Sequence, residues 1–229
     1  MTTLRETLNA LHALGGAVAL FSMWIPIFSR KGGAAHRKAG SVFVLSMAWV
    51  SISAVFVSLL RIVAEPDKPQ APLFLSLVAI QSAAATWWGV SVLGQKHRSE
   101  RSRSVADWIS ALALLNSGML ALAYALQGAA VLFAIFGTLN VVFGLRFVRA
   151  LWRAPHSRFW WWYEHLFGML AACIAALTAF FVVNYDNTPA SFQSVIPPLV
   201  VWIAPGAVGG LAITLAMRHY RARLEGPPR

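Results

Sequence analysis

Long apolar runs, broken at short intervals by clusters of charged and turn-forming residues, make up most of this chain. A helix rises about 1.5 Å per residue and the hydrocarbon core of a bilayer is about 30 Å thick, so one crossing takes about 20 mainly apolar residues. Seven stretches meet that requirement, at roughly 8–28, 40–62, 72–94, 106–126, 129–149, 160–183 and 195–217. Only Gln127 and Gly128 separate the fourth from the fifth. One helix over both would be far too long for a crossing, so the pattern predicts a tight hairpin there. No stretch between the spans is long enough for a soluble domain. The expectation is an all-α membrane protein, a seven-transmembrane-helix bundle forming a single polytopic domain over 1–229.

The last long run but one, Arg158 to Asn184, opens with three tryptophans, Trp160 to Trp162, followed by Glu164 and His165. A basic residue and an aromatic run ahead of an apolar helix read as an interface belt, with a histidine just beneath it. The first run carries Arg5 and Glu6, lacks a clear small-residue cleavage site and leads into another span. It is expected to be a crossing and not a cleaved signal.

Charge sets the orientation. Sixteen of the nineteen lysines and arginines fall on one side of the spans. They are Arg30, Lys31, Arg37, Lys38; Lys96, Arg98, Arg101, Arg103; Arg146, Arg149, Arg153, Arg158; and Arg218, Arg221, Arg223, Arg229. Only Arg5, Arg61 and Lys68 are left for the other. The positive-inside rule then places the N-terminus outside and the C-terminus in the cytoplasm of a cell inner membrane. A net charge of +11 is compatible by itself with nucleic-acid binding, but here the basic residues sit in short clusters between apolar runs, so no nucleic-acid partner is expected. Anionic lipid headgroups at the cytoplasmic face are the expected partners, with a homo-oligomer or a membrane partner also open. The single cysteine, Cys173, lies in an apolar run and reads as a small packing residue.

Polar groups within apolar spans are costly unless paired, so they are the first place to look for chemistry. Gln81, Asn116 and Asn140 fall near mid-span on consecutive helices. Two readings stand: interhelical hydrogen bonds that fix packing, or a polar solute path. No carboxylate lies at mid-span, which argues against a proton relay of the usual acidic kind. In the seventh span Gly206 and Gly210 form a small-residue pair expected to pack closely, beside a kink at Pro205. His12, Gly16, Ala19 and Met23 share one helical face, as do His165, Gly168, Met169, Ala172, Ala176 and Ala179.

Histidine between membrane helices is a familiar ligand for haem b and for transition metals. Depth decides the pairing. His12 and His165 lie on opposite sides of their spans and differ in depth by roughly 20 Å, so they cannot share one iron. His36, in the cytoplasmic loop GGAAHRKAG, lies on the same side as His165 and could reach it if the second helix starts a turn early. Arg30, Lys31, Arg37, Lys38 and Arg158 could neutralise haem propionates or another anion, and Met169 is an alternative axial ligand. The plain alternative makes His36 an interfacial residue and Glu164 a salt-bridge partner of the basic loop. His97, His156 and His219 read as surface residues. Enzyme activity has little support. Ser46, Ser53 and Ser82 show no matching histidine and carboxylate, and there is no HExxH pattern. A zinc hydrolase would have only His36, His165 and Glu164 as ligands.

Two stretches carry a resemblance: residues 11 to 47, with KGGxxHRxxG at Lys31 to Gly40, and EHLFGMLAACIAALTAFFVVN, residues 164 to 184. Over nearly its whole length the chain resembles a family of bacterial multi-pass membrane proteins of unknown function. Where that family tends to carry a basic residue before the methionine of the second motif, this chain has Gly168. The resemblance implies fold and membrane location, draws attention to His12, His36 and His165, and brings no settled activity.

Overall fold

The computed structural model describes residues 2–96, 104–128, 131–153, 155 and 157–226. His97, Arg98, Arg101, Arg103, His156 and Arg229, assigned above to surface loops and the tail, lie outside the described residues. The chain runs α1 (Thr2–Ser22), α2 (Trp24–Phe28), α3 (Ala34–Ala64), α4 (Gln70–Ser91), α5 (Val105–Ala125), α6 (Val131–Trp152), α7 (Trp160–Val183), α8 (Ala190–Val195) and α9 (Pro198–Glu225). Short 3-10 turns follow α4 at Val92–Gln95 and α7 at Tyr185–Asn187. Among the described residues there is no strand.

Seven helical segments are long and apolar enough to cross a membrane, α1 and α2 together making the first. They coincide with the seven apolar runs, and the differences lie at the ends. The second helix begins at Ala34, so His36 sits in its first turn. The helix of the fifth span runs on to Trp152, three residues past the predicted end of its apolar run, and Arg146 and Arg149 lie within it as the span 129–149 had them. The last continues to Glu225 through Pro205.

Helix α4 sits at the centre, packed against α3, α5 and α7, while α7 also meets α1 and α9. The α5–α6 hairpin packs closely because glycines line its seam. A Cβ on Gly118 would lie 2.7 Å from the Gly137 carbonyl oxygen, and one on Gly144 would lie 2.7 Å from Leu115 Cγ. Gly128, at φ +133°, turns the chain between the two helices, as the tight hairpin requires. The entry to α5 is a capping box, with Ser104 and Asp107 each bonding the other's backbone N–H.

One close-packing expectation fails by one residue of helical rotation. Gly206 and Gly210 face open space, and it is Gly209 that meets Ile174 of α7. In the first span the expected face packs at Ala19 and Met23, both fully buried, while its Gly16 is open and the neighbouring Gly15 meets Trp49. The α7 face holds as expected: a Cβ on Gly168 would lie 2.6 Å from the Gly89 nitrogen, so α4 and α7 touch backbone to backbone. Trp160 is also corrected. It is buried, edge-on to Trp88 with ring centroids 6.4 Å apart, and so belongs to the core and not to an interface belt.

Candidate functional site

The ends of α2, α4 and α6 and the starts of α3, α5 and α7 meet at one end of the bundle. Helix α2 stops at Phe28, which leaves its last carbonyls without intrahelical donors. Lys31 Nζ takes two of them, Pro26 O at 2.9 Å and Ile27 O at 2.5 Å, and His36 Nδ1 takes Pro26 O as well at 3.1 Å. Partial burial of its head pushes the Lys31 ammonium below the usual lysine range. Arg37 donates to Gly32 O, so it too serves the turn, whereas Arg30 and Lys38 lie on the exposed surface.

At the end of α4 the bonding tightens into the 3-10 turn, a change of register that makes backbone carbonyls available. Gly89 O accepts from His165 Nδ1 at 2.6 Å. Gly89 also has the Gly168 backbone against it, and the Met169 sulfur packs at the same place, 2.8 Å from where a Cβ on Gly89 would sit. The two imidazoles thus brought together have ring centroids 6.3 Å apart at an interplanar angle of 61°. A carbonyl only accepts, so each Nδ1 carries a proton, and in the neutral ring the lone pair is then on Nε2. Fixing a ring by its Nδ1–H on a carbonyl is the usual support for a metal-binding histidine. Among the described residues, no three histidine, cysteine, aspartate or glutamate side chains come together as a metal site.

Compared with known proteins, the chain matches no family model, no curated protein and no solved structure.

Glu164, next to His165, does not pair with the basic loop at 30–38. Its Oε1 accepts from Arg146 Nη2 at 2.6 Å and its Oε2 from the Trp88 indole at 2.8 Å. It is 7% exposed, and both oxygens are engaged. That arrangement takes Glu164 out of any zinc site with the histidines. A second carboxylate, Asp107, is 1% exposed and accepts from the Trp87 indole at 3.0 Å and from Gln95 Nε2 at 3.1 Å. Sequence reasoning missed Asp107. The signal was there: a serine three residues before an aspartate, ahead of an apolar run, with two tryptophans at the end of the preceding span.

The other sequence candidates scatter. His12 bonds to Ser53 Oγ at 2.9 Å; the serine hydroxyl in turn donates to Trp49 O at 2.7 Å. This serine does find a histidine, but the pair closes α1 against α3. Asn140 is fully buried and donates to Ser117 Oγ at 3.1 Å, while its Oδ1 and the Gln81 Oε1 have no hydrogen-bond partner. Asn116 is exposed on the outer side of α5 and does not join them. Ser82 donates to Val78 O within its own helix. His219 is exposed and stands beside Tyr220.

Proposed function

We propose that this chain is a multi-pass inner-membrane protein, N-terminus outside and C-terminus in the cytoplasm, that binds haem iron or a transition-metal ion between His36 and His165. The observation that carries the reading is the spacing of the two rings. A ligand nitrogen stands about 2 Å from its metal with the ring centre about 1.1 Å behind it, so two imidazoles on opposite sides of one ion have centres about 6 Å apart. The pair at 6.3 Å, each ring steadied at Nδ1, fits that requirement. Two protein ligands are sufficient for haem, whose porphyrin supplies the other four. Arg30 and Lys38, exposed at the same end of the bundle as His36, suit its carboxylates. The family resemblance around Lys31 to Gly40 and residues 164 to 184 belongs to the same proposal.

The test is an optical spectrum and metal analysis of the purified protein after expression with added haem. The expected result is a Soret band, or one metal ion per chain, that disappears in His165→Ala. No band and no metal in the unaltered protein would overturn the reading. For orientation, an impermeant maleimide added to intact cells in a Cys173→Ala background should label a cysteine placed at Asp67 and not one placed at Arg223.

A second reading, a small-solute path, rests on the two buried acceptors without partners, Gln81 Oε1 and Asn140 Oδ1. It would run between α4 and α6 without Asn116. Solute flux in proteoliposomes that survives Gln81→Leu and Asn140→Leu together would remove it.

A further inference from the structure

Helix α9 leans on the bundle unequally. Near its start Trp202 packs edge-on to Phe74 and Phe136, with ring centroids 5.0 and 5.9 Å away, and so ties α9 to α4 and α6. Towards its other end a groove of about 290 Å³ opens between α6 and α9. Phe167 of α7, Ile213 and Met217 make its apolar surfaces, and Arg146, Arg218 and Arg221 supply three guanidinium groups.

The charge in this groove is not balanced locally. Glu164 takes one Nη of Arg146 and has its other oxygen on Trp88, and Glu225, one turn beyond Arg221, lies near Tyr163, so two carboxylates stand against three cations. Arg146 Nε is buried and has no hydrogen-bond partner. Its guanidinium lies 4.0 Å over the Phe167 ring, which holds it in place. Arg221 stands over the Tyr163 ring at 5.2 Å, and Arg218 is exposed. The three guanidinium groups on the groove, Arg218 and Arg221 being exposed, call for an anion with several acceptor oxygens.

The surfaces running away from the arginines specify what that anion is attached to. One turn deeper than Arg146 on the same face of α6 is Val142; three and seven residues back from Arg218 on α9 are Leu215 and Leu211. All three are more than half exposed. A cationic head region with apolar flanks continuing into the hydrocarbon suits an amphiphile. The volume is enough for a phospholipid head and not for its chains. We propose that this groove binds the phosphate headgroup of an acidic phospholipid, whose acyl chains lie along the exposed faces of α6 and α9. The site shares no residue with the His36–His165 pair and stands or falls separately from it.

The experiment is native mass spectrometry of the full chain, with phosphatidylglycerol, phosphatidylcholine and inorganic phosphate as probes. Each basic side chain near an acidic headgroup is worth a factor of about five, so Arg218→Ala with Arg221→Ala should weaken phosphatidylglycerol binding about thirty-fold. Arg149→Ala with Arg153→Ala removes the same charge from exposed positions outside the groove and should leave the affinity within about two-fold. Arg218→Lys with Arg221→Lys should retain most of the binding, which controls for folding. Equal losses in the two alanine pairs, or equal binding of phosphatidylcholine, would overturn the proposal. Complete displacement by millimolar inorganic phosphate would overturn it as well, in favour of a small-anion site.

Discussion

His36 of α3 and His165 of α7 stand with ring centroids 6.3 Å apart, each turned by a backbone carbonyl at its Nδ1. His12 lies at the other end of the bundle, on Ser53. If the pair is the ligand set, His36→Ala and His165→Ala should each remove most of the bound haem or metal, Met169 being the one alternative ligand named beside His165. His12→Ala should leave the content unchanged. Metal analysis and the optical spectrum of the three variants decide it, and retention in His36→Ala would exclude that residue as a ligand.

Glu164 joins three helices through Arg146 and Trp88. Removing one member of a buried ion pair costs about 3–5 kcal/mol, but Arg146 is one-third exposed and can be partly rehydrated, so about 2 kcal/mol is expected for Glu164→Ala. Trp88→Phe keeps most of the ring volume and loses one charge-assisted bond, at about 1.5 kcal/mol. Thermal unfolding in a fixed detergent should show both losses, with the alanine variant the less stable. An unchanged midpoint in Glu164→Ala would contradict the buried pair.

The Gly168–Gly89 contact leaves no space for a side chain. Gly168→Val should lower the unfolding midpoint and weaken the histidine site together, because it separates the carbonyl from the ring it holds. Gly206→Val faces open space and should do neither. Equal behaviour of the two variants in thermal unfolding would mean that the α4–α7 contact is not close.

Asn140 and Asn116 separate burial from hydropathy. Asn140→Leu removes an interhelical hydrogen bond, for a loss of about 0.6–2 kcal/mol. Asn116→Leu replaces an exposed amide on an apolar helix and should be neutral or slightly stabilising. Denaturant unfolding in mixed micelles gives both values, and a larger loss at Asn116 would reverse their assigned positions.

The crossings were legible because a bilayer imposes a length on any helix that spans it, and hydropathy measures length along the chain. The side shared by His36 and His165 was legible for a related reason, since basic clusters mark the ends of spans. Azimuth was not. Successive residues on a helix point about 100° apart, so an error of one position turns inside to outside. Hence Asn116 was named where Ser117 faces Asn140, and Gly206 and Gly210 were named where Gly209 makes the contact. Arg146 was counted as a topology signal because its charge is visible in sequence and its partner is not. Whether a charge ends a span or pairs within one depends on a neighbour far away in the chain.

Trp87, Trp88 and Gly89 are consecutive, and each makes a different tertiary bond: to Asp107 of α5, to Glu164 of α7 and, through its carbonyl, to His165. Two indoles pointing in different directions from one turn fix both the rotation and the height of α4 at that end. The carbonyl that follows them therefore has a defined place, and so does the imidazole it holds. An exchange between two positions of the His165 ring would break the bond to the Gly89 carbonyl while the two tryptophans keep that end of α4 in place, so the carbonyl stays where the ring can return to it.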